Sequence, residues 1–146
     1  MSESELMVRI QETLNTMRGP DGKYVARLAR NAVGFFDGNK VTVAIRALER
    51  GDVALALSAL KSIKSPRSIT YGLGTGSADL VGVLRSGRVL GCEVKTPTGK
   101  VSKEQQAWID SVNRWGGVAF VARSTDEAVC EVLRAIKEES DRATGT

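Results

Sequence analysis

The sequence predicts an α/β domain: a mixed sheet flanked by helices, in the order helix, strand, helical insert, strand, strand, helix, strand, helix. Three observations carry this prediction. Apolar residues keep a helical period in several separate segments, strand-length apolar runs lie between those segments, and the two central runs are joined by a turn short enough to make them an antiparallel hairpin. The 146 residues, 42% hydrophobic and 26% charged, suit one ordinary domain (residues 1–146) with its own core.

Leu6, Ile10, Leu14 and Met17 recur at helical spacing, so residues 3–17 read as an amphipathic first helix, ended by the turn chemistry of Gly19-Pro20-Asp21-Gly22. Tyr24 to Arg30 reads as a strand whose alternation is weakened by alanine. Residues 39–65 hold Val41, Ala44, Ile45 and Leu48 at helical spacing, a break at Gly51, and a second helical run from Val53 to Ile63. They are expected to form a helical hairpin inserted between the first and second core strands, serving either packing or as a dimer- or DNA-facing appendage.

Tyr71-Gly72-Leu73-Gly74-Thr75-Gly76-Ser77 is a glycine-rich approach to the next strand. It is not a P-loop, because no Gly-Lys-Ser/Thr follows at the required spacing, and Thr98-Gly99-Lys100-Val101 fails likewise; no nucleotide cofactor is expected. Ala78–Leu84 and Arg88–Lys95 are the two strand-length runs, with Arg85-Ser86-Gly87 as their hairpin connection. Ser102-Lys103-Glu104-Gln105 matches a capping box, and Gln105, Trp108, Ile109 and Val112 share one side of the helix it opens. Val118–Ala122 reads as a short buried strand. Ser124-Thr125-Asp126-Glu127 is a second capping box, opening a final helix through Val129, Val132, Leu133 and Ile136, with 139–146 expected to be frayed.

The hairpin carries the candidate chemistry. A turn centred near Ser86 sets Asp79 opposite Glu93, and opposed residues of an antiparallel pair have Cβ atoms roughly 4.5–5.5 Å apart. Side chains alternate along a strand, so Glu93 and Lys95 share a face while Cys92 and Val94 turn to the other. A slip of one residue would separate the three charged groups. Phosphodiester hydrolysis needs a positioned water, neutralised phosphate charge and help for the leaving oxygen; Mg²⁺ held by one or two carboxylates supplies much of this. Asp79 and Glu93 fit as ligands, the backbone carbonyl of Val94 can join them, and Lys95 can orient the water or stabilise developing charge. Each residue has a plainer reading: Glu-x-Lys is common on solvated strand faces, Asp after Gly-Ser-Ala is common at turns, and Gln105 can serve as a helix cap alone.

Composition narrows the chemistry further. The chain has no histidine, which excludes Ser-His-Asp and Cys-His hydrolysis, histidine-bound metals and Cys₂His₂ fingers. Its two cysteines, Cys92 and Cys130, sit among apolar neighbours and read as buried thiols. Carboxylates and lysine remain, which favours a hard-metal site. A net charge of +4 and a pI near 9.3 suit a polyanionic partner. Basic residues gather at Arg27 and Arg30, at Lys61, Lys64 and Arg67, and at Lys95, Lys100 and Lys103 around the proposed site, where phosphate contacts are expected. No apolar run is long enough to span a bilayer and the acidic start is no signal peptide, so a cytoplasmic protein is expected.

Four stretches, Gly76 to Gly82, Gly87 to Lys95, Gly99 to Gln105 and Gly116 to Ala122, resemble in order the VRR-NUC branch of the PD-(D/E)XK nucleases. Glu5-Leu6-Met7-Val8-Arg9-Ile10 is similar to that family's first helix, and Arg30-Asn31-Ala32-Val33-Gly34 to the strand after it. The resemblance implies a restriction-endonuclease-like fold and DNA cleavage dependent on Mg²⁺ or Mn²⁺. Its stand-alone, often phage-encoded members resemble Holliday-junction resolvases acting on branched DNA as homodimers, which would put this chain in a bacterial host cell. Carried over by residue, Asp79 and Glu93 become metal ligands, Lys95 the catalytic lysine, Gln105 the glutamine of the following helix, and Glu5 the acid of the first helix. Arg30, Asn31, Lys100 and Lys103 become candidates for DNA contact. The proline that usually precedes the motif aspartate is Ala78 here, a position that shapes the chain rather than doing chemistry. Two other readings stay open: a catalytically silent DNA-binding module, and a regulatory subunit that needs a partner.

Overall fold

The computed structural model describes residues 1–31, 34–35, 38–63, 68–69 and 73–145, with the backbone alone described at 34–35, 38–39 and 68–69. Lys64 and Arg67 of the second basic group, Ala32 and Val33, and Tyr71-Gly72 of the glycine-rich stretch lie outside the described residues. The chain divides into two compact units, Met1–Asn31 with Leu73–Thr146, and Ala32–Gly72.

The first unit begins with α1 (Glu3–Thr16), started by a capping box in which Ser2 and Glu5 satisfy each other's backbone N–H. Leu6, Ile10 and Leu14 form its buried stripe. Strand β1 (Ala26–Arg30) is fastened beneath it by Asn15, whose amide oxygen accepts from the Leu28 N–H at 2.7 Å and whose amide nitrogen donates to the Leu28 carbonyl at 3.0 Å. Two short strands of the second unit, β2 (Gly34–Phe35) and β3 (Ser68–Ile69), pair with each other around α2 (Gly38–Glu49) and α3 (Val53–Lys61). The first unit continues with β4 (Leu80–Leu84), β5 (Val89–Val94), α4 (Lys103–Arg114), β6 (Val118–Ala122) and α5 (Thr125–Thr144).

The four-stranded sheet runs β1-β4-β5-β6. The first three strands are antiparallel neighbours and β6 lies parallel to β5, reached through α4. This is the mixed, restriction-endonuclease-like α/β arrangement the sequence predicts. Leu80 pairs with Cys92, Val81 with Gly91 and Gly82 with Leu90, the register that a turn centred at Ser86 requires. Leu6, Ile10, Leu14, Leu28, Leu80, Leu90, Cys92, Val94 and Val132 share one core, contributed by α1, α5 and the sheet. Helix α4 packs against β5 and β6, and the contact is tight at Gly91. A Cβ there would stand 2.5 Å from the Trp108 ring, so glycine lets the indole approach the strand backbone closely.

In the second unit α2 and α3 pack through Ala44, Ala47 and Ala56, with Ala59 beside them. The turn between them closes through the N–H groups of Gly51 and Asp52, which donate to Leu48 and Ala47, and Asp52 then caps α3.

Four expectations change. The last helix runs on to Thr144 rather than fraying at 139, because Glu139 is clasped by Arg88 at 3.1 Å and by the Ser86 hydroxyl at 2.8 Å. Its buried residues are Ala128, Val132 and Ala135, and Val129 and Ile136 pack against the core as expected, while Leu133 faces solvent. Its cap is shifted as well: Ser124 accepts from the Glu127 N–H, but the Glu127 carboxylate accepts from Arg123, one residue before the expected partner. Cys92 is buried as expected, whereas Cys130 is exposed, on the outer side of α5. Among the described residues no helix is long and apolar enough to cross a membrane.

Candidate active site

The site forms where β5 ends, because the sheet delivers three groups to one point there. The β4–β5 register, continued one residue past Leu80–Cys92, sets Asp79 opposite Glu93. The Asp79 carboxylate accepts from the Val94 N–H at 2.9 Å, which ties it to the neighbouring strand. Val94 buries its side chain in the core, so only its backbone can serve the site.

Asp79 is held from behind by Asn31. The Asn31 amide donates to the Ser77 hydroxyl at 2.6 Å and to the Ala78 carbonyl at 3.0 Å, and its oxygen accepts from the Leu73 N–H at 3.1 Å. Its backbone N–H donates to the Asp79 carbonyl at 2.8 Å. The loop thus secured runs against the first turn of α4. At Gly76 the backbone has φ +83°, and a Cβ would meet the Glu104 backbone at 2.8 Å, so only glycine fits. Asn31, expected among the DNA contacts, spends its side chain on this loop.

Glu93 is fully buried. One of its oxygens, Oε1, accepts from the Lys95 ammonium at 2.6 Å and from the Gln105 amide. The other, Oε2, is buried with no hydrogen-bond partner among the described residues. A buried carboxylate oxygen without a donor is costly and calls for a compensating charge. Burial pushes the Glu93 carboxyl above its ordinary range, the Asp79 charge pushes the same way, and the Lys95 bond only partly offsets them. Lys95 is nearly buried, and desolvation alone would lower its pKa. The Glu93 hydrogen bond and the charges of Glu93, Glu3 and Asp79 outweigh that and hold it above the usual lysine value. Cys92 is kept protonated by burial and by the same two carboxylates, which makes it inert.

Gln105 does two jobs. Its side-chain oxygen accepts from the Ser102 N–H at 2.9 Å, completing the capping box of α4, while its nitrogen reaches Glu93. Because the box sits at the first turn of α4, the cap itself aims the amide at the strand end.

The two acids at the start of α1 differ in their surroundings. Glu5 is fully exposed, and the hydrogen bonds from Ser2 hold its carboxyl below the usual range. Glu3 is half-buried, and its charge acts on Lys95. It lies on the helical face of Leu6, Ile10 and Leu14, so the period of the first helix would have pointed to it. Arg30, Lys100 and Lys103 are exposed on segments that end at the site: Arg30 pairs with Leu80, one residue from Asp79, and Lys103 opens α4. The loop bearing Lys100 is pinned by Arg123, which donates to the carbonyls of Thr96 at 2.7 Å and Gly99 at 2.9 Å.

Among the described residues no three His, Cys, Asp or Glu side chains stand close enough to form a protein-only metal cage. Two carboxylates in register, one with a partnerless buried oxygen, nevertheless fit a hard divalent cation, since Mg²⁺ is commonly held by one or two carboxylates and completes its shell with water and phosphate.

A mixed sheet that sets two acids and a lysine at one strand end, with exposed cations on the flanking segments, is the arrangement that the likeness to DNA-processing nucleases implies. The chain is a member of the VRR-NUC domain family, whose family model matches residues 23–126. The match takes in Asp79, Glu93, Lys95 and Gln105 and leaves out α1 with Glu3 and Glu5. No curated protein and no solved structure matches the chain. Membership brings a nuclease-type function with DNA as substrate, in a family that generally uses divalent metals.

Proposed function

We propose that this protein is an endodeoxyribonuclease dependent on Mg²⁺ or Mn²⁺ that hydrolyses phosphodiester bonds in branched or otherwise structured DNA, as a homodimer. The observation that carries the metal-dependent reading is the unpartnered Oε2 of Glu93 beside Asp79, with Oε1 of the same carboxylate already saturated by Lys95 and Gln105. Asp79 and Glu93 would hold the ion, with the Val94 backbone available as a third donor. When bound, the ion supplies Lewis-acid polarisation of the phosphate and lowers the pKa of a coordinated water. The protein's own groups do the rest. Gln105 and Lys95 fix the orientation of Glu93, Asn31 fixes the loop that carries Asp79, and Lys95 offsets negative charge developing on the phosphate. Arg30, Lys100 and Lys103 provide phosphate contacts on the flanks. Glu3 takes the place of Glu5 as the acid of the first helix, supported by the reach of its charge to Lys95. The preference for branched DNA and the homodimer rest on the likeness to stand-alone, resolvase-like members.

Incubating the full chain with a four-way junction, a flap, duplex and single strands, in Mg²⁺, Mn²⁺ or EDTA, tests this directly. Cleavage of the junction or flap in either metal, abolished by EDTA and by Lys95→Ala, is the expected result. Equal cleavage by wild type and Lys95→Ala would remove Lys95 from the site. Junction binding without cleavage in any metal would make the protein a silent binding module.

A further inference from the structure

We propose that the α2–α3 hairpin is the surface through which two copies of this chain associate, its aliphatic face meeting the same face of a second copy to form a four-helix bundle. This rests on the homodimer reading above and gives it a location. The hairpin is built in an unusual way: its internal seam is alanine, and its large aliphatic residues point outward. Val41, Ile45 and Leu48 on α2, and Val53, Leu57 and Leu60 on α3, are 41–55% exposed.

These six residues form one face. On each helix they fall at i, i+4, i+7, the spacing of a stripe that packs lengthwise against another helix. At about 100° per residue, the α2 stripe stands roughly a quarter-turn from Ala44 and Ala47, and the α3 stripe stands the same quarter-turn, in the same sense, from Ala56 and Ala59. The short turn at Arg50–Asp52 makes the helices antiparallel neighbours. In an antiparallel pair, equal offsets of equal sense bring both stripes to the same side. Val43 and Leu55 fall on the opposite side.

Two parallel-lying stripes on one face are half of a four-helix bundle, and a two-fold axis in the plane of that face supplies the other half from a second copy. The size fits. A half-exposed Val, Leu or Ile leaves roughly 50 Å² of aliphatic surface, so six give on the order of 300 Å² per copy. Twice that, with the neighbouring Thr42 and Ala54 and the stems of Glu49 and Lys61, approaches the apolar share of a standard interface of about 1,600 Å². DNA is a poorer occupant, because it is held by cations and this face offers aliphatic carbon.

The test is the molar mass of the full chain in solution by light scattering across a concentration series. It compares wild type with Ile45→Glu/Leu57→Glu on the proposed face and Val43→Glu/Leu55→Glu on the other, with helix content monitored by circular dichroism. Wild type and the Val43/Leu55 variant are expected to be dimeric. The Ile45/Leu57 variant should fall to half the mass, 15.6 kDa, at unchanged helix content. If the Ile45/Leu57 variant stays dimeric, this surface is wrong while the homodimer stands. If both variants become monomeric, the face-specific bundle is wrong. A wild type that is monomeric at every concentration overturns both the surface and the dimer.

Discussion

Neutralising Asp79 should make this protein more stable without metal and less stable with it. In Asp79→Asn the side-chain oxygen that accepts from the Val94 N–H at 2.9 Å is retained, so the strand tie survives. What disappears is a negative charge opposite Glu93. At roughly 5 Å and an effective dielectric of about 20, two such charges repel by about 3 kcal/mol. Asp79 also attracts Lys95, which takes back a good part of that repulsion. The net relief is then about 1 kcal/mol, or roughly 2–4 °C in Tm for a chain of this size. Mg²⁺ at a hundred times its Kd stabilises the wild type by about 2.7 kcal/mol, or about 5–10 °C, and the variant should lose nearly all of this. Thermal unfolding in EDTA and along a Mg²⁺ titration should therefore give melting curves whose order reverses. An Asn variant that Mg²⁺ stabilises as much as wild type refutes Asp79 as a ligand. A variant less stable than wild type in EDTA refutes the charge accounting.

Further outcomes follow from neighbouring groups. Glu3→Gln should lower kcat/KM by about tenfold, some 1.4 kcal/mol of transition-state stabilisation. Glu5→Ala removes the reciprocal half of the α1 capping box and should leave cleavage near wild type; the opposite ranking in a junction-cleavage assay would favour Glu5 over Glu3. Asn31→Ala removes two donated bonds and one accepted bond, about 2 kcal/mol of stability, and should weaken Mg²⁺ binding measured calorimetrically; an unchanged metal affinity would reduce Asn31 to a purely structural role. The folded protein raises the Glu93 pKa, so it binds that proton more tightly than the unfolded chain does. In EDTA, the Glu93 contribution to stability is therefore greatest below the ordinary glutamate value of 4.5 and is lost as pH rises from there through the raised folded value. Urea midpoints should show this decline in wild type and a flatter profile in Glu93→Gln, and superimposable profiles would contradict it.

The sequence revealed what local chemistry decides. Arg85-Ser86-Gly87 fixes the hairpin register, and with it the pairing of Asp79 with Glu93, because a two-residue side-chain period leaves no intermediate choice. Ser102 to Gln105 announced the start of α4, and the same box explains how Gln105 reaches the strand end. Long-range decisions were not legible. Asn31 meets Ser77 and Ala78 across 46 and 47 residues of chain, and no local pattern marks that bond. Ala128 and Ala135 line the core where Leu133 was expected, since alanine adds little to an apolar period but fits a helix lying close to a sheet. The last turns of α5 are polar and depend on the clasp of Glu139 by Arg88, a tertiary contact. Glu3 shares the period of Leu6 and Ile10 and so turns inward, whereas Glu5, the acid the family likeness implies, lies off that stripe.

The charge gathered around Lys95 also sets an order of events. The charges of Glu3, Asp79 and Glu93 all act on the one ammonium of Lys95, a formal excess of two negative charges near the strand end where the proposed reaction would place a phosphodiester. Those charges oppose an approaching polyanion, while Arg30, Lys100 and Lys103 lie exposed on the flanking segments. A divalent cation held by Asp79 and Glu93 would cancel that excess. On the metal-dependent reading proposed above, a divalent ion would load ahead of the DNA strand, and its concentration would set when the strand can reach Asp79 and Glu93.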